Sequence, residues 1–160
     1  MEKIKWGIIG PGNIANNFAD GLKGSYSGQL VSIASKSEDR RKNFGDKYDI
    51  HPDFRFDSYE DIINSEHIDA IYISTPHTLH AQWTIKAAGK GKHILCEKPG
   101  AINFNEGKKI IDAVREAGVF YMEGFMYRCH PQIPKLVEII KNKIIGAVSY
   151  THLRAHETRL

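Results

Sequence analysis

Apolar positions along the chain follow two alternating rhythms. Ile4, Trp6, Ile8 and Ile9 crowd one short run, and Ile14, Phe18 and Leu22 then recur four apart. The first pattern predicts a strand over residues 3–9. The second predicts a helix, because side chains four apart share a helix face whereas a strand buried on both sides is apolar throughout. The alternation continues. Residues 30–34 read as a second strand, and Ser37 can cap a helix with Glu38 and Asp39 in its first turn and Phe44 and Tyr48 on one face. A short strand near Phe54 and a short helix from Ser58 follow, then a buried strand over 69–73. Leu79 through Trp83 to Ala87 reads as a helix closed by Gly89 and Gly91, and residues 93–96 as the next strand. Asn103 and Glu106 form a capping-box pattern before a helix carrying Ile110, Ile111 and Val114, and a last strand is expected over 119–122. This order predicts an α/β fold, a doubly wound parallel sheet with helices on both faces.

Composition narrows the picture. A chain of 160 residues, 41% hydrophobic and 26% charged, suits a globular domain with a sizeable core. The net charge of +3 is mild and no basic run is interleaved with aromatics, so no nucleic-acid partner is expected. No apolar run is long enough to span a bilayer, and residues 1–6 lack the features of a signal peptide, so a cytoplasmic protein without a membrane partner is expected. Cys96 and Cys129 form no Cys-x-x-Cys pattern and read as two reduced thiols.

In a doubly wound sheet, ligands bind outside the carboxyl ends of the strands. Gly10-Pro11-Gly12-Asn13-Ile14-Ala15 stands there, after the first strand and before the first helix. In a G-x-G-x-x-A turn the first glycine allows the tight turn, the second lets the backbone approach a pyrophosphate, and the alanine lets helix and strand pack closely. Ser35-Lys36-Ser37 and Arg40 follow the second strand, where an NAD site usually places an acid for the ribose. Without that acid, and with Lys36 and Arg40 available to a 2′-phosphate, NADP is expected in preference to NAD. The fourth strand's tip offers Thr75, Pro76, His77 and His80, read as cofactor contacts. His77 and His80 lack supporting Asp, Glu or Cys, so no metal site is expected. The fifth strand ends in Glu97-Lys98-Pro99-Gly100, an acid and a base at the tip of a buried strand.

Taken together, the Gly10–Ala15 turn, Thr75-Pro76-His77 with His80, Gly91-Lys92-His93 through Cys96-Glu97-Lys98-Pro99, and Glu123 through Tyr127-Arg128-Cys129-His130-Pro131 resemble the Gfo/Idh/MocA oxidoreductase family. The last segment is similar to the branch of dihydrodiol dehydrogenases and NADP-dependent D-xylose dehydrogenases, which often has Trp at the position of Tyr127. The resemblance implies a Rossmann domain over residues 1–123. It implies the start of a second, α+β domain over 124–147, whose remainder would carry substrate contacts, a second acid/base group and the surface for a homo-oligomer. It also implies that Lys98 is catalytic beside the nicotinamide, that Glu97 holds it or meets the ribose, that Tyr127 and Arg128 contact the cofactor, and that the Lys98–Pro99 bond is often cis. A sugar or cyclic diol is the implied substrate. A non-enzymatic dinucleotide-binding regulator, and a family member with net hydrolase or epimerase chemistry, are the alternatives. A helix over 133–143 and a turn over 144–148 would open the second domain. Residues 148–160 read as a non-native tail, similar to one frame of a sequencing-library adapter.

Overall fold

The computed structural model describes residues 2–144 and residue 146. The turn over 144–148 is therefore described only in part, and the tail over 148–160 lies outside the described residues. The first compact unit is Met1–Gly124. Six strands, β1 (Ile4–Ile9), β2 (Gly28–Ala34), β3 (Arg55–Phe56), β4 (Ala70–Ile73), β5 (His93–Cys96) and β6 (Tyr121–Glu123), form one sheet in the order β3-β2-β1-β4-β5-β6. Every neighbouring pair is parallel. This is the Rossmann arrangement, in which the strand order reverses between β1 and β4 and opens a crevice at that point.

Five helices connect these strands: α1 (Asn13–Lys23), α2 (Glu38–Lys47), α3 (Tyr59–Asn64), α4 (His80–Ala88) and α5 (Phe104–Ala117). Their starts are set locally. Ser37 accepts from Arg40 N–H, Ser58 from Glu60 and Asp61, and Asn103 from Glu106. Each fills one of the donors a helix leaves open at its first turn. Glu106 reaches back to Ile102 N–H at 3.3 Å, one residue earlier than a standard capping box would place it.

Two apolar clusters lie against the sheet. Ile9, Ile62, Ile71, Ile73, Trp83, Ala87 and Ile94 belong to one, and Ile8, Ala15, Ala19, Ile33, Phe44 and Tyr72 to the other. Ile8 and Ile9 are adjacent on β1 yet enter different clusters, because successive strand side chains point to opposite faces. Burying one such isoleucine is worth roughly 1.5–3 kcal/mol.

Several boundaries differ from the sequence pattern, and β2 begins at Gly28, two residues early. The last strand begins at Tyr121 and runs to Glu123, because Val119 and Phe120 serve as the approach to the sheet. Phe120 is exposed, and its N–H donates to His93 Nδ1. A short 3-10 turn, His77–Leu79, precedes α4, so the regular helix starts at His80.

A second unit begins at Phe125. It contains the 3-10 turn Met126–Cys129 and helix α6 (Gln132–Lys141). Ile133, Leu136, Val137 and Ile140 recur at helical spacing along α6 and make one apolar stripe. Among the described residues, no helix is long and apolar enough to cross a membrane.

Candidate active site at the strand tips

Hydrogen bonds lace the carboxyl ends of adjacent strands together. Gly10 N–H donates to Ala34 O, Ser74 N–H to Ile9 O, and Glu97 N–H to Ile73 O. The Ser74 hydroxyl donates to Gly10 O at 2.7 Å. These contacts bring the glycine turn, the Thr75 loop and the Glu97-Lys98 turn to one edge of the sheet.

The glycine turn is shaped for an anion. Gly10 has φ +90°, and a Cβ there would approach Ser74 O to 3.0 Å, so both conformation and space require glycine. A Cβ at Gly12 would meet nothing within 4 Å. Gly12 is also the N-cap of α1, and no side chain caps that helix. The first N–H groups of α1, from Asn13 and Ile14, therefore have no side-chain cap, and the helix dipole lies behind them. Such a cradle fits a pyrophosphate.

At the tip of β2, Ser35 is buried while Lys36 and Arg40 are exposed. Neither cation is paired with a carboxylate among the described residues. Lys36 Nζ lies 6.0 Å from the Tyr59 ring centroid. Arg41 is occupied differently: its Nη1 donates to Ser35 O at 2.7 Å and braces the loop. An anion at this tip would meet free positive charge.

The β4 and β5 tips are tied more closely. Thr75 is buried, and its hydroxyl has no partner among the described residues. An orphaned buried hydroxyl is costly in water's absence, and a bound polar ligand would satisfy it. Pro76 and His77 are exposed. His80 is 1% exposed, with Nδ1 2.8 Å from Pro99 O and Nε2 2.8 Å from Thr75 O. Its ring is therefore engaged by backbone on both sides, unlike a residue presenting a donor to a cofactor. Glu97 accepts from the Tyr72 hydroxyl at 2.6 Å instead of holding Lys98. Lys98 is exposed and has no carboxylate within 4.0 Å among the described residues. The Lys98–Pro99 peptide is cis.

Burial tunes the neighbouring groups. Cys96 is fully buried and its thiol is pushed up to about 12, so it is no nucleophile near neutral pH. Burial first, and then the Glu97 carboxylate, hold the Tyr72 phenol far above its usual range. Glu123 is absent from the residues that the sequence singled out for the site. Its carboxylate accepts from Gly100 N–H at 2.7 Å and so braces the lysine turn from β6. An acid closing the last strand is the only sequence signal of that role. Tyr127 and Arg128 lie in the 3-10 turn of the second unit, and both are exposed.

Residues 4–125 match the family model described as an oxidoreductase family with an NAD-binding Rossmann fold. The chain belongs to the Gfo/Idh/MocA oxidoreductase family. Within this family it is 34% identical over 148 residues to D-xylose 1-dehydrogenase (NADP(+)) 2 of Haloferax volcanii, covering 92% of this chain and 45% of that protein. It is 33% identical over 148 residues to trans-1,2-dihydrobenzene-1,2-diol dehydrogenase of Xenopus tropicalis, covering 91% and 44%. Among solved Gfo/Idh/MocA structures it is similar to a 3-ketoreductase from Actinomadura kijaniata in complex with NADP. That match has a TM-score of 0.82 at 30% identity and covers 91% of this chain and 46% of the other. The chain thus spans just under half the length of the curated relatives it matches.

Proposed function

We propose that this chain is the dinucleotide-binding part of an NADP-dependent oxidoreductase. It would move a hydride between the nicotinamide and a secondary alcohol carbon of a sugar or cyclic diol. The observation that carries this reading is the unpaired Lys98 ammonium on a braced turn at the tip of β5, on the same sheet edge as the open cradle at Gly12. The relatives' substrates, a pentose and a cyclic diol, support the substrate class.

The bound nicotinamide supplies or receives the hydride. Asn13 and Ile14 N–H groups bind the pyrophosphate at the α1 terminus. Lys36 and Arg40 attract the 2′-phosphate, and Ser35 shapes the loop beneath them. Thr75, Pro76 and His77 form the wall at the β4 tip, where the free Thr75 hydroxyl gains a partner. In the direction of reduction, Lys98 Nζ donates a hydrogen bond to the substrate carbonyl oxygen and gives it a proton as the carbon is reduced. In oxidation it takes that proton back. Tyr72 keeps the Glu97 carboxylate off the lysine, so the ammonium is left for the substrate. Residues 124–147 begin a second domain, to which Tyr127 and Arg128 belong. The whole protein is a homo-oligomer acting in the cytoplasm.

The test is a titration of the chain with NADPH and with NADH, followed by nicotinamide fluorescence. Tighter binding of NADPH is expected. Absence of binding by either nucleotide at millimolar concentration overturns the reading.

A further inference from the structure

The buried histidine at the start of α4 is the polar group that the proposed chemistry leaves unexplained. A side chain meant to touch a ligand would face the crevice, whereas His80 is 1% exposed. Its two ring nitrogens reach two different loops, one ending on Thr75 O and the other on Pro99 O, each at 2.8 Å. Both partners are carbonyl oxygens, which only accept, so each contact is a hydrogen bond when the ring nitrogen facing it carries the hydrogen. Thr75 carries the orphaned hydroxyl, and Pro99 is bonded directly to Lys98.

On the other flank of the same turn, Gly100 N–H donates to Glu123, and the Tyr121 hydroxyl fills the space a Gly100 side chain would need. Just before the lysine, Glu97 N–H donates to Ile73 O, and Gly124 N–H donates to Cys96 O at 2.7 Å. The backbone around Lys98 is thus pinned from β4, from β6 and from α4, while the lysine side chain stays free. The point from which the side chain starts is set by the turn.

We propose that His80 is a positioning residue for the Thr75 loop: its ring straps that loop to the Pro99 carbonyl and so sets the Thr75 hydroxyl, next to the turn that bears Lys98, against the nicotinamide end of the bound dinucleotide. This rests on the reading of the β4 and β5 tips given above. The adenosine end, at Lys36 and Arg40, has no connection to this strap. The ring therefore governs one end of the ligand and spares the other. A histidine that merely filled the core would affect both ends alike, or neither.

The experiment compares two ligands on three forms of the 160-residue chain: the parent, His80→Phe and His80→Gln. Phenylalanine keeps an aromatic ring and removes both ring nitrogens, whereas glutamine keeps an N–H donor group. Each form is titrated with NADPH and with adenosine 2′,5′-bisphosphate, which lacks the nicotinamide end. His80→Phe should lose about tenfold in NADPH affinity and keep bisphosphate affinity within about twofold, with His80→Gln between the parent and His80→Phe. Parallel losses for both ligands, or no loss for either, overturn the strap. If the phenylalanine variant fails to fold by circular dichroism, the same split is read from His80→Gln. A parent that binds the bisphosphate and NADPH equally well leaves the nicotinamide end without contacts, and that too overturns the strap. A parent that binds neither nucleotide sinks the dinucleotide reading, and the strap with it.

Discussion

The tips of β2 and β5 solve different problems at the same edge of one sheet. At β2, the cations Lys36 and Arg40 stand exposed, on long side chains with no carboxylate partner among the described residues. At β5, the turn that bears Lys98 is held by hydrogen bonds to Pro99 O, Gly100 N–H, Glu97 N–H and Cys96 O. The contrast follows from distance dependence. Attraction between charges falls slowly with separation, so a flexible lysine can neutralise a phosphate from many rotamers. Proton transfer needs donor and acceptor within hydrogen-bond reach, so a misplaced lysine loses most of its effect. One tip tolerates disorder in its side chains and the other is built to forbid it in its backbone.

The comparison is broken most forcefully at Lys98. In a chimera that joins this chain to the remaining length of the Haloferax volcanii relative, Lys98→Ala should lower turnover by about 10²–10⁴-fold. NADPH affinity should stay within about twofold. Steady-state kinetics beside equilibrium binding checks both, and parental turnover in the variant removes Lys98 from the chemistry. At the other tip, Lys36→Asp should reverse the nucleotide preference. A charge-assisted contact is worth roughly 1.5–3 kcal/mol, so the parent should favour NADPH by about tenfold or more. Equal affinities for NADPH and NADH in the parent would leave Lys36 as an ordinary surface residue.

Gly12 separates ligand binding from folding. Its Cβ would meet open space, so Gly12→Ala should change fold stability by no more than about 0.5 kcal/mol. The added methyl would still occupy the pyrophosphate cradle and lower NADPH affinity by about tenfold. Thermal melting with and without NADPH reads both effects. An unchanged affinity means that the anion lies elsewhere.

The smallest effect is a pH dependence that sharpens the contrast, since the β5 tip gathers buried titratable groups. Burial raises Cys96 from its ordinary 9 to about 12, and it raises Tyr72 and Tyr121 as well. A group raised in the folded state adds stability that is full below its unfolded value and is lost as pH climbs toward the folded one. Stability should therefore hold to about pH 9 and then decline, by ~1 kcal/mol at pH 10 from Cys96 alone. Melting temperature against pH checks the slope, and Cys96→Ala should flatten it.

The fold was legible along the chain because its signals are local. The caps Ser37, Ser58 and Asn103 act within three residues of themselves, and strands buried on both faces must be apolar throughout. The glycine turn was legible for the same reason: Gly10 needs a positive φ wherever the chain makes that turn. The start of β6 was misplaced by two residues, because Val119 and Phe120 have strand propensity but approach the sheet without joining it.

The site divides along the same line. Gly10, Gly12, Lys36, Thr75 and Lys98 could be placed at the strand tips from the sequence, since the order of the elements puts them there. What binds Glu97 could not. A carboxylate beside a lysine suggests an ion pair, yet Tyr72 on the neighbouring strand takes it, because parallel pairing of β4 with β5 places the two across from each other's tips. His80 and Glu123 were equally hidden in their roles. Their partners lie 19 and 23 residues away in sequence, and only strand order brings them together. Capping, turn geometry and hydrophobic period act over a few residues, so the order of amino acids alone specifies which elements form and which reactive side chains reach the sheet edge. Which of those side chains are free and which are held is settled by long-range packing. That depends on hydrogen bonds between strands far apart in the chain, whose partners no local pattern specifies.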